Sequence, residues 1–396
     1  MKAVILAAGE GRRLRPFTSS EPKVMIPVAN KPILQYVVEA LVSNDIHDII
    51  MVVGYHQEKI KSFFGDGDEF DARISYIEQP KQLGTAHALY QARNSVEENF
   101  IVLPGDNLVS TDTIDDLVNE GKTSSVLITT SDEPSKYGVV SMENGIVEDI
   151  AEKPEHSISH HISTGIYYLS RDVFSRIEQL MADNTYDLTS VLNSLKDIRE
   201  LNGIHTESMW MDAVYPWDLL SLNSAALHEL ATANRGMVEK GVIIKGPVSI
   251  GEGSVIKGGA YIEGPAIIGE GCEIGPHTCI LPSSSIGNDC TVGAHTIICN
   301  SIVMDGARIG YKSILESSII GEGVSIGAGF VSHTDVVDII IEGHLERVEN
   351  IGCMVAEDTT MGGGVTCYPG VIIGDRCDIR TGSLLRDNVL PGSSVR

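Results

Sequence analysis

Along the second half of the chain a β-branched aliphatic residue returns every six positions: Ile244, Ile250, Ile256, Ile262, Ile268, Ile274, Ile280, Ile286, Val292 and Ile298. A helix repeats near 3.6 residues and a strand near two, so neither sustains this period. One short strand per hexapeptide, with its aliphatic side chain pointed into a narrow prism of stacked turns, does sustain it. A small residue stands two places before most of these positions (Ser254, Ala260, Ala266, Cys272, Thr278, Ser284, Cys290, Thr296), as a tight corner requires. Gly251, Gly269, Gly275, Gly287 and Gly293 follow the aliphatic, where they are expected to lend the backbone freedom. The spacing predicts a β-solenoid that begins near residue 240, slips register around Met304, and resumes through Ile309, Ile314, Ile320 and Ile326. It breaks at Asp335 to Glu349, which reads as an inserted loop, and returns from Val371 to Ile379.

The first half follows a different rule. Short apolar runs at residues 2 to 7, 48 to 53, 73 to 77, 100 to 104 and 124 to 129 alternate with helical patterns at about 31 to 43, 56 to 64, 84 to 94 and 111 to 119. This alternation predicts an α/β domain with a largely parallel sheet, which binds ligands at the carboxyl ends of its strands. Pro216 to Arg235 reads as a helix with Leu219, Leu220, Ala226, Leu227 and Leu230 on one stripe, linking a first domain of residues 1–235 to a second of residues 236–396.

Charge narrows the partners. With 29 Lys+Arg against 54 Asp+Glu, the net charge of -25 opposes nonspecific binding to nucleic acid and to anionic membranes. No apolar run reaches the length of a membrane span and the amino-terminal residues lack a secretory pattern, so a cytoplasmic protein is expected. All 7 cysteines lie beyond residue 270 without a C-x-x-C pair, and Cys272 and Cys290 fall on corner positions of the solenoid. Buried thiols are expected, with no zinc ribbon or redox motif.

Directly after the first apolar run comes Leu6-Ala7-Ala8-Gly9-Glu10-Gly11-Arg12-Arg13-Leu14-Arg15-Pro16. Gly9 and Gly11 would let backbone N–H groups approach phosphates, and Arg13 can grip two oxygens at once. The segment is neither a Walker loop, for want of Gly-Lys-Ser/Thr, nor a dinucleotide fingerprint, because Leu14 replaces the last glycine.

Pro22-Lys23, Pro27-Val28 and Lys31-Pro32 extend this to a longer signature, and L-A-A-G-x-G-x-R-L-x-P followed by P-K and P-V-x-x-K-P resembles the sugar-1-phosphate nucleotidylyltransferases over roughly residues 1 to 235. The resemblance implies a Rossmann-like nucleotidyltransferase fold, in which Leu6, Ala8, Gly9 and Gly11 line the nucleotide. Arg13 would then hold the departing pyrophosphate, and Lys23 would bridge the α-phosphate and the sugar phosphate. Gln79 with Leu83-Gly84-Thr85 is similar to the base-reading segment, where an amide can pair with N3–H and a carbonyl of uracil or thymine. Pro104-Gly105-Asp106 and Trp210-Met211-Asp212 match the family's two aspartate positions, which implies Asp106 and Asp212 as ligands of Mg²⁺, a hard cation suited to oxygen donors. Gly138, Glu152, Thr164 and Gly165 fall in segments resembling the sugar-binding ones, although Ser163 stands where N-acetylglucosamine enzymes often carry Asn. The implied reaction joins UTP or dTTP to a sugar-1-phosphate, N-acetylglucosamine-1-phosphate or glucose-1-phosphate, with loss of pyrophosphate.

The solenoid resembles the left-handed β-helix of the hexapeptide acyltransferases, and the order of the two halves is similar to that of bifunctional enzymes that also acetylate glucosamine-1-phosphate with acetyl-CoA. The archaeal branch carries a basic His after an M-x-G segment and an Asn after G-A-G-T. Here Gly310 takes the His position, and no Asn follows Gly327-Ala328-Gly329-Phe330 through Thr334. Acetyl transfer to an amine needs a base, which glycine cannot supply and for which His333 and His344 are the nearby substitutes. Two-domain chains of this kind also serve as non-catalytic regulatory subunits, a reading that the intact Arg13, Lys23, Asp106 and Asp212 oppose. The solenoid's flat faces imply a homo-oligomer.

Overall fold

The computed structural model describes residues 1–121, 124–155, 159–196 and 201–396. They fall into two compact units, one of Met1–Glu10, Glu21–Met25 and Ile33–Asp212, the other of Gly11–Ser20, Ile26–Pro32 and Ala213–Arg396.

The first unit is built on a nine-stranded sheet in the order Arg73–Glu78, Asp48–Val53, Lys2–Ala7, Phe100–Pro104, His161–Leu169, Ser125–Thr130, Asn202–His205, Ile146–Glu152, Gly138–Glu143. The first four strands are parallel, as the alternation predicts. Along Lys2–Ala7 the side chains divide between two cores, Ala3, Ile5 and Ala7 joining one and Val4 the other, so the sheet is covered on both faces. Helices Ile33–Val42 and Gln57–Phe64 serve the first core, and Thr85–Gln91, Val173–Ala182 and Leu188–Lys196 the second. Beyond Phe100–Pro104 the sheet is mixed. Asn144 and Gly145, both at positive φ, close a tight hairpin between Gly138–Glu143 and Ile146–Glu152, and the chain re-enters the sheet as His161–Leu169 running antiparallel to Phe100–Pro104.

In the second unit three parallel sheets run the length of the solenoid, each taking one strand per turn, an arrangement consistent with a left-handed β-helix. Ile250 lies over Ile268 and Ile268 over Ile286, which gives eighteen residues per turn. Ile286 then lies over Val303 and Val303 over Ile320, so these two turns use seventeen, which accounts for the slip near Met304. The inserted segment is a β-hairpin of Asp335–Ile341 and His344–Ile351, after which Val355 continues the column above Ile320.

Nine of the ten periodic aliphatics are at most 1% exposed, while Ile244, in the first turns, is 39% exposed. The helix expected over Pro216 to Arg235 is shorter, Asp218–His228, and Ala233–Asn234 already pairs with Ser249 and Ile250 as a solenoid strand. Its Asn223 is fully buried and satisfied, accepting from Ala29 N at 2.9 Å and donating to Ser283 O at 3.0 Å.

The glycines after the aliphatics have a different reason from the one expected. None of the five has positive φ; a Cβ on Gly251, Gly269, Gly275 or Gly293 would instead lie within 2.7 Å of backbone in the following turn. The left-handed corners stand three residues before the aliphatic, at Gly253, Gly259, Gly271, His277, Ser283, Asp289 and His295. Corner side chains are spent on the next turn: Ser254 Oγ donates to Gly269 O at 2.7 Å and the Cys272 thiol to Gly287 O at 3.0 Å. The same steric rule governs position 310, where a Cβ would lie 2.5 Å from Ala328 N and from Gly327 C. Gly310→Ala is therefore expected to destabilise the solenoid by about 1–3 kcal/mol through overpacking, read as a lowered midpoint of thermal unfolding; an unchanged midpoint would show that the turns slide apart freely.

Candidate active site

The parallel strands end at one edge of the sheet, and three charged side chains of the first unit meet there. Asp106 follows directly on strand Phe100–Pro104, and Gly105 N donates to Leu6 O at 3.0 Å, tying this turn to the first strand. Asp212 comes from the short antiparallel ladder in which Trp210–Asp212 pairs with Asn107–Val109, placing Asp212 opposite Asn107. Lys23 lies on a 3₁₀ turn whose Val24 is buried in the core. Its Nζ stands 2.5 Å from Asp106 Oδ2 and 3.1 Å from Asp212 Oδ1.

Burial alone would weaken the Lys23 ammonium, but the two carboxylates outweigh it and hold its pKa above the ordinary value. Burial raises the Asp212 carboxyl, with the Asp106 charge adding to the rise and Lys23 opposing it. The two acids thus share one fixed cation and have oxygen lone pairs beyond those it uses. Among the described residues, Asn107 Oδ1, opposite Asp212 in the ladder, is buried without a hydrogen-bond partner. This oxygen-rich donor set fits a small divalent cation whose remaining ligands come from phosphates.

Ala8 and Gly9 follow the first strand. Ala8 O accepts from Gln82 Nε2 at 2.7 Å and Tyr55 N at 3.3 Å, while at Gly9 no atom of the described residues, its chain neighbours aside, lies within 4 Å of a Cβ placed there. Gly54 supports this turn, since a Cβ on it would lie 2.9 Å from Ala8 O. Gly11 and Arg13 belong to the second unit, where Gly11 takes a left-handed φ of 66° before the turn Arg12–Leu14 and its carbonyl accepts from Thr18 Oγ1 at 2.9 Å.

Gln79 is buried, its Nε2 donating to Gly84 O at 3.1 Å and to His87 Nδ1 at 3.0 Å. Burial lowers the His87 pKa, which favours the neutral ring, and a neutral ring has one acceptor nitrogen to offer the Gln79 amide. Gly84 has φ 153°, and a Cβ there would lie 2.4 Å from Tyr186 O. That carbonyl accepts from Ala86 N at 2.8 Å and His87 N at 3.3 Å, and Thr85 Oγ1 accepts from Leu188 N at 2.9 Å. Gly84 and Thr85 thus anchor the segment that follows Gln79 to 186–188.

The predicted sugar residues gather on neighbouring strands. Gly138 pairs with Glu152, and a Cβ at 138 would lie 3.4 Å from Glu152 Oε2. Thr189 Oγ1 donates to the same oxygen at 3.2 Å. The Thr164 hydroxyl is buried, donating to Leu127 O at 2.8 Å and accepting from Ile166 N at 3.2 Å, so it holds a break in the pairing of His161–Leu169. Gly165 sits in that break with φ 79° and Pro104 packed against it. Tyr186, Gly54, His87, Thr189 and the Tyr137–Trp210 ring pair, 5.5 Å between centroids, are contributions the motif reading did not assign.

In comparisons with known proteins, the family described as Nucleotidyl transferase matches residues 2–229, and the GMPPB C-terminal domain matches residues 262–338. A protein of Methanococcus maripaludis named "Bifunctional protein GlmU" is 40% identical over 408 residues, covering 100% of this chain and 97% of its own. A "Bifunctional sugar-1-phosphate nucleotidylyltransferase/acetyltransferase" of Sulfurisphaera tokodaii is 31% identical, with 98% of each chain covered. Among solved structures, a Bacillus anthracis protein provisionally titled a glucose-1-phosphate thymidylyltransferase is similar with a TM-score of 0.55 and 31% identity, over 59% of this chain and 98% of that one. With one match spanning more than half of its length and relatives aligned from end to end, the chain belongs to the nucleotidyl transferase family.

Proposed function

We propose that the protein transfers a nucleotidyl group from UTP or dTTP to a sugar-1-phosphate, N-acetylglucosamine-1-phosphate or glucose-1-phosphate, and releases pyrophosphate. The observation that carries this reading is the convergence of Lys23 on Asp106 and Asp212 at the carboxyl edge of the sheet. The nucleophile, a sugar phosphate oxygen, is already anionic, so the reaction needs alignment and charge neutralisation rather than a general base. Lys23, held charged by its two partners, is suited to bridge two phosphates that repel each other. Asp106 and Asp212 would hold Mg²⁺, which when bound offsets charge on the α-phosphoryl group. Gln79 would read the pyrimidine by exchanging one of its two internal contacts for the base. Gly138, Glu152 and the Thr164–Gly165 break would shape the sugar pocket, and Arg13 would hold the pyrophosphate.

A second reading, acetyl transfer from acetyl-CoA to glucosamine-1-phosphate, is favoured by the end-to-end relatives with bifunctional names. Gly310 can supply no base there. Exposed His333 stands 6.2 Å from the Tyr368 ring, on which Arg386 stacks at 4.9 Å, and is the better substitute base.

We also propose a homo-oligomer formed through one face of the solenoid. Ile243, Tyr261, Cys279, Ile297, Ile314, Val331, Thr366 and Leu384 form a single outward column in pairing register, apolar but for Thr366 and the Tyr261 hydroxyl, which donates to Glu263 Oε2 at 2.7 Å. Ile243, Ile297, Ile314 and Leu384 are exposed, and a second copy of this chain is the occupant that such a repeated apolar stripe suits. Among the described residues no helix is long and apolar enough to cross a membrane. The seven cysteines are free thiols, which supports a reducing, cytoplasmic setting.

Pyrophosphate release is expected with UTP or dTTP, Mg²⁺ and one of the two sugar phosphates, but not with ATP or GTP; silence across that matrix would favour a regulatory subunit. Asp106→Ala is expected to lower turnover by at least about a hundredfold, the scale of losing a preorganised charge-stabilising group, with circular dichroism unchanged, and near-normal activity would refute the metal assignment. Ile297→Glu is expected to lower the mass measured by light scattering, whereas an unchanged oligomer would clear this face. Consumption of acetyl-CoA that depends on glucosamine-1-phosphate and is lost in His333→Ala would establish the second activity.

A further inference from the structure

The inserted hairpin is the one interruption of the solenoid that stacking does not require. It lies against the next turn, since a Cβ on Gly370 would meet Val337 at 2.8 Å and Ile339 at 3.1 Å. Its strands pair as far as Ile341 with His344, and Glu342 and Gly343, both at positive φ, make the two-residue tip. Two of its carboxylates meet residues that precede the solenoid but belong to the same compact unit. Glu346 Oε1 accepts from the Tyr215 hydroxyl at 2.8 Å, and Glu342 Oε2 stands 3.8 Å from Arg13 Nε.

The two contacts differ in kind. Burial, with Glu346 beside it, pushes the Tyr215 phenol up to about 12, so it remains a donor and this end of the hairpin is fixed by a short neutral-to-charged hydrogen bond. The Arg13–Glu342 pair is too long for a hydrogen bond, and its side chains are 37% and 46% exposed. Such pairs are weak and screened by water and salt. A pyrophosphate carries several charges and takes a guanidinium through two parallel bonds, so it displaces a lone carboxylate readily. The carboxylate still opposes the polyanion, because it claims the same cation and repels the incoming charge.

Resting on the reading that Arg13 holds the departing pyrophosphate, we infer that Glu342 is a positioning residue that competes with pyrophosphate for Arg13 and hastens its release. The hairpin thereby gives the solenoid half a part in the nucleotidyl transfer reaction itself. Loosening of substrate and product together helps an enzyme whose slow step is product departure.

The test measures pyrophosphate on the full chain in two ways, as product inhibition of the forward reaction and as direct binding by calorimetry, in the unaltered protein, Glu342→Gln, Glu342→Asp, Arg13→Ala and the Arg13→Ala/Glu342→Gln double variant. Glu342→Gln is expected to tighten pyrophosphate about two- to fivefold, the range an exposed ion pair supports, and to lower the KM for the nucleoside triphosphate in step. Glu342→Asp is expected to restore the unaltered values. The difference is expected to vanish on Arg13→Ala and to shrink in molar salt. If Arg13→Ala weakens pyrophosphate while Glu342→Gln leaves it unchanged or weaker, the inference is overturned and the reading of Arg13 survives. Tightening that persists without Arg13 would also overturn it, as a general charge effect. Arg13→Ala binding pyrophosphate as the unaltered protein does would remove the reading of Arg13 and the inference together.

Discussion

Two carboxylates brought to the same edge of a sheet repel, and the catalytic unit keeps both because one ammonium stands between them. Asp106 and Asp212 arrive from different parts of the chain, the first on the end of a central strand and the second on a two-stranded ladder. Lys23 is the charge that makes their approach tolerable. The same arrangement leaves the lysine strongly cationic and the acids with lone pairs to offer. The turns that carry these charges are themselves held, the one bearing Lys23 by a buried valine and the one bearing Asp106 by a bond to the first strand.

The motif residues were legible because each combines an unusual residue type with a place where a strand ends. Gly105-Asp106 after Phe100–Pro104 and Trp210-Met211-Asp212 were readable in this way, and so was the arginine-rich turn after Lys2–Ala7. What escaped were residues whose contribution is a backbone group or an absence. Tyr186 acts through its carbonyl, which any residue could supply, and Gly54 through the room it leaves for Ala8 O. His87 lies inside a recognised segment, but its contact with Gln79 and its partial burial are not reported by spacing along the chain. The reversal of His161–Leu169 was likewise hidden, because an apolar run does not reveal its direction.

For the solenoid, the period was legible and the reason for one part of it was not. A glycine after five of the ten aliphatics suggests a flexible corner, yet the corner stands elsewhere and tolerates His277, Ser283, Asp289 and His295. Glycine is needed where one turn rests on the next, a contact between residues eighteen apart that no short window displays. The helix Asp218–His228 ended early for a related reason: the apolar stripe runs on toward Leu230, but Ala233 and Asn234 are claimed by the column above Ser249 and Ile250.

The boundaries of the two compact units do not follow the order of the chain. Gly11–Ser20 and Ile26–Pro32, within the first tenth of the polypeptide, are grouped with the solenoid, while the residues on either side of them are grouped with the sheet. Asn30 Nδ2 donates to Ile286 O at 2.7 Å and Ser20 Oγ to Glu357 Oε2, so each of these early segments has a partner in the solenoid. A free-standing relative such as the Bacillus anthracis protein aligns with only 59% of this chain. A cut near residue 236 would strip both early segments of these partners, a loss that the shorter protein's chain never had to bear.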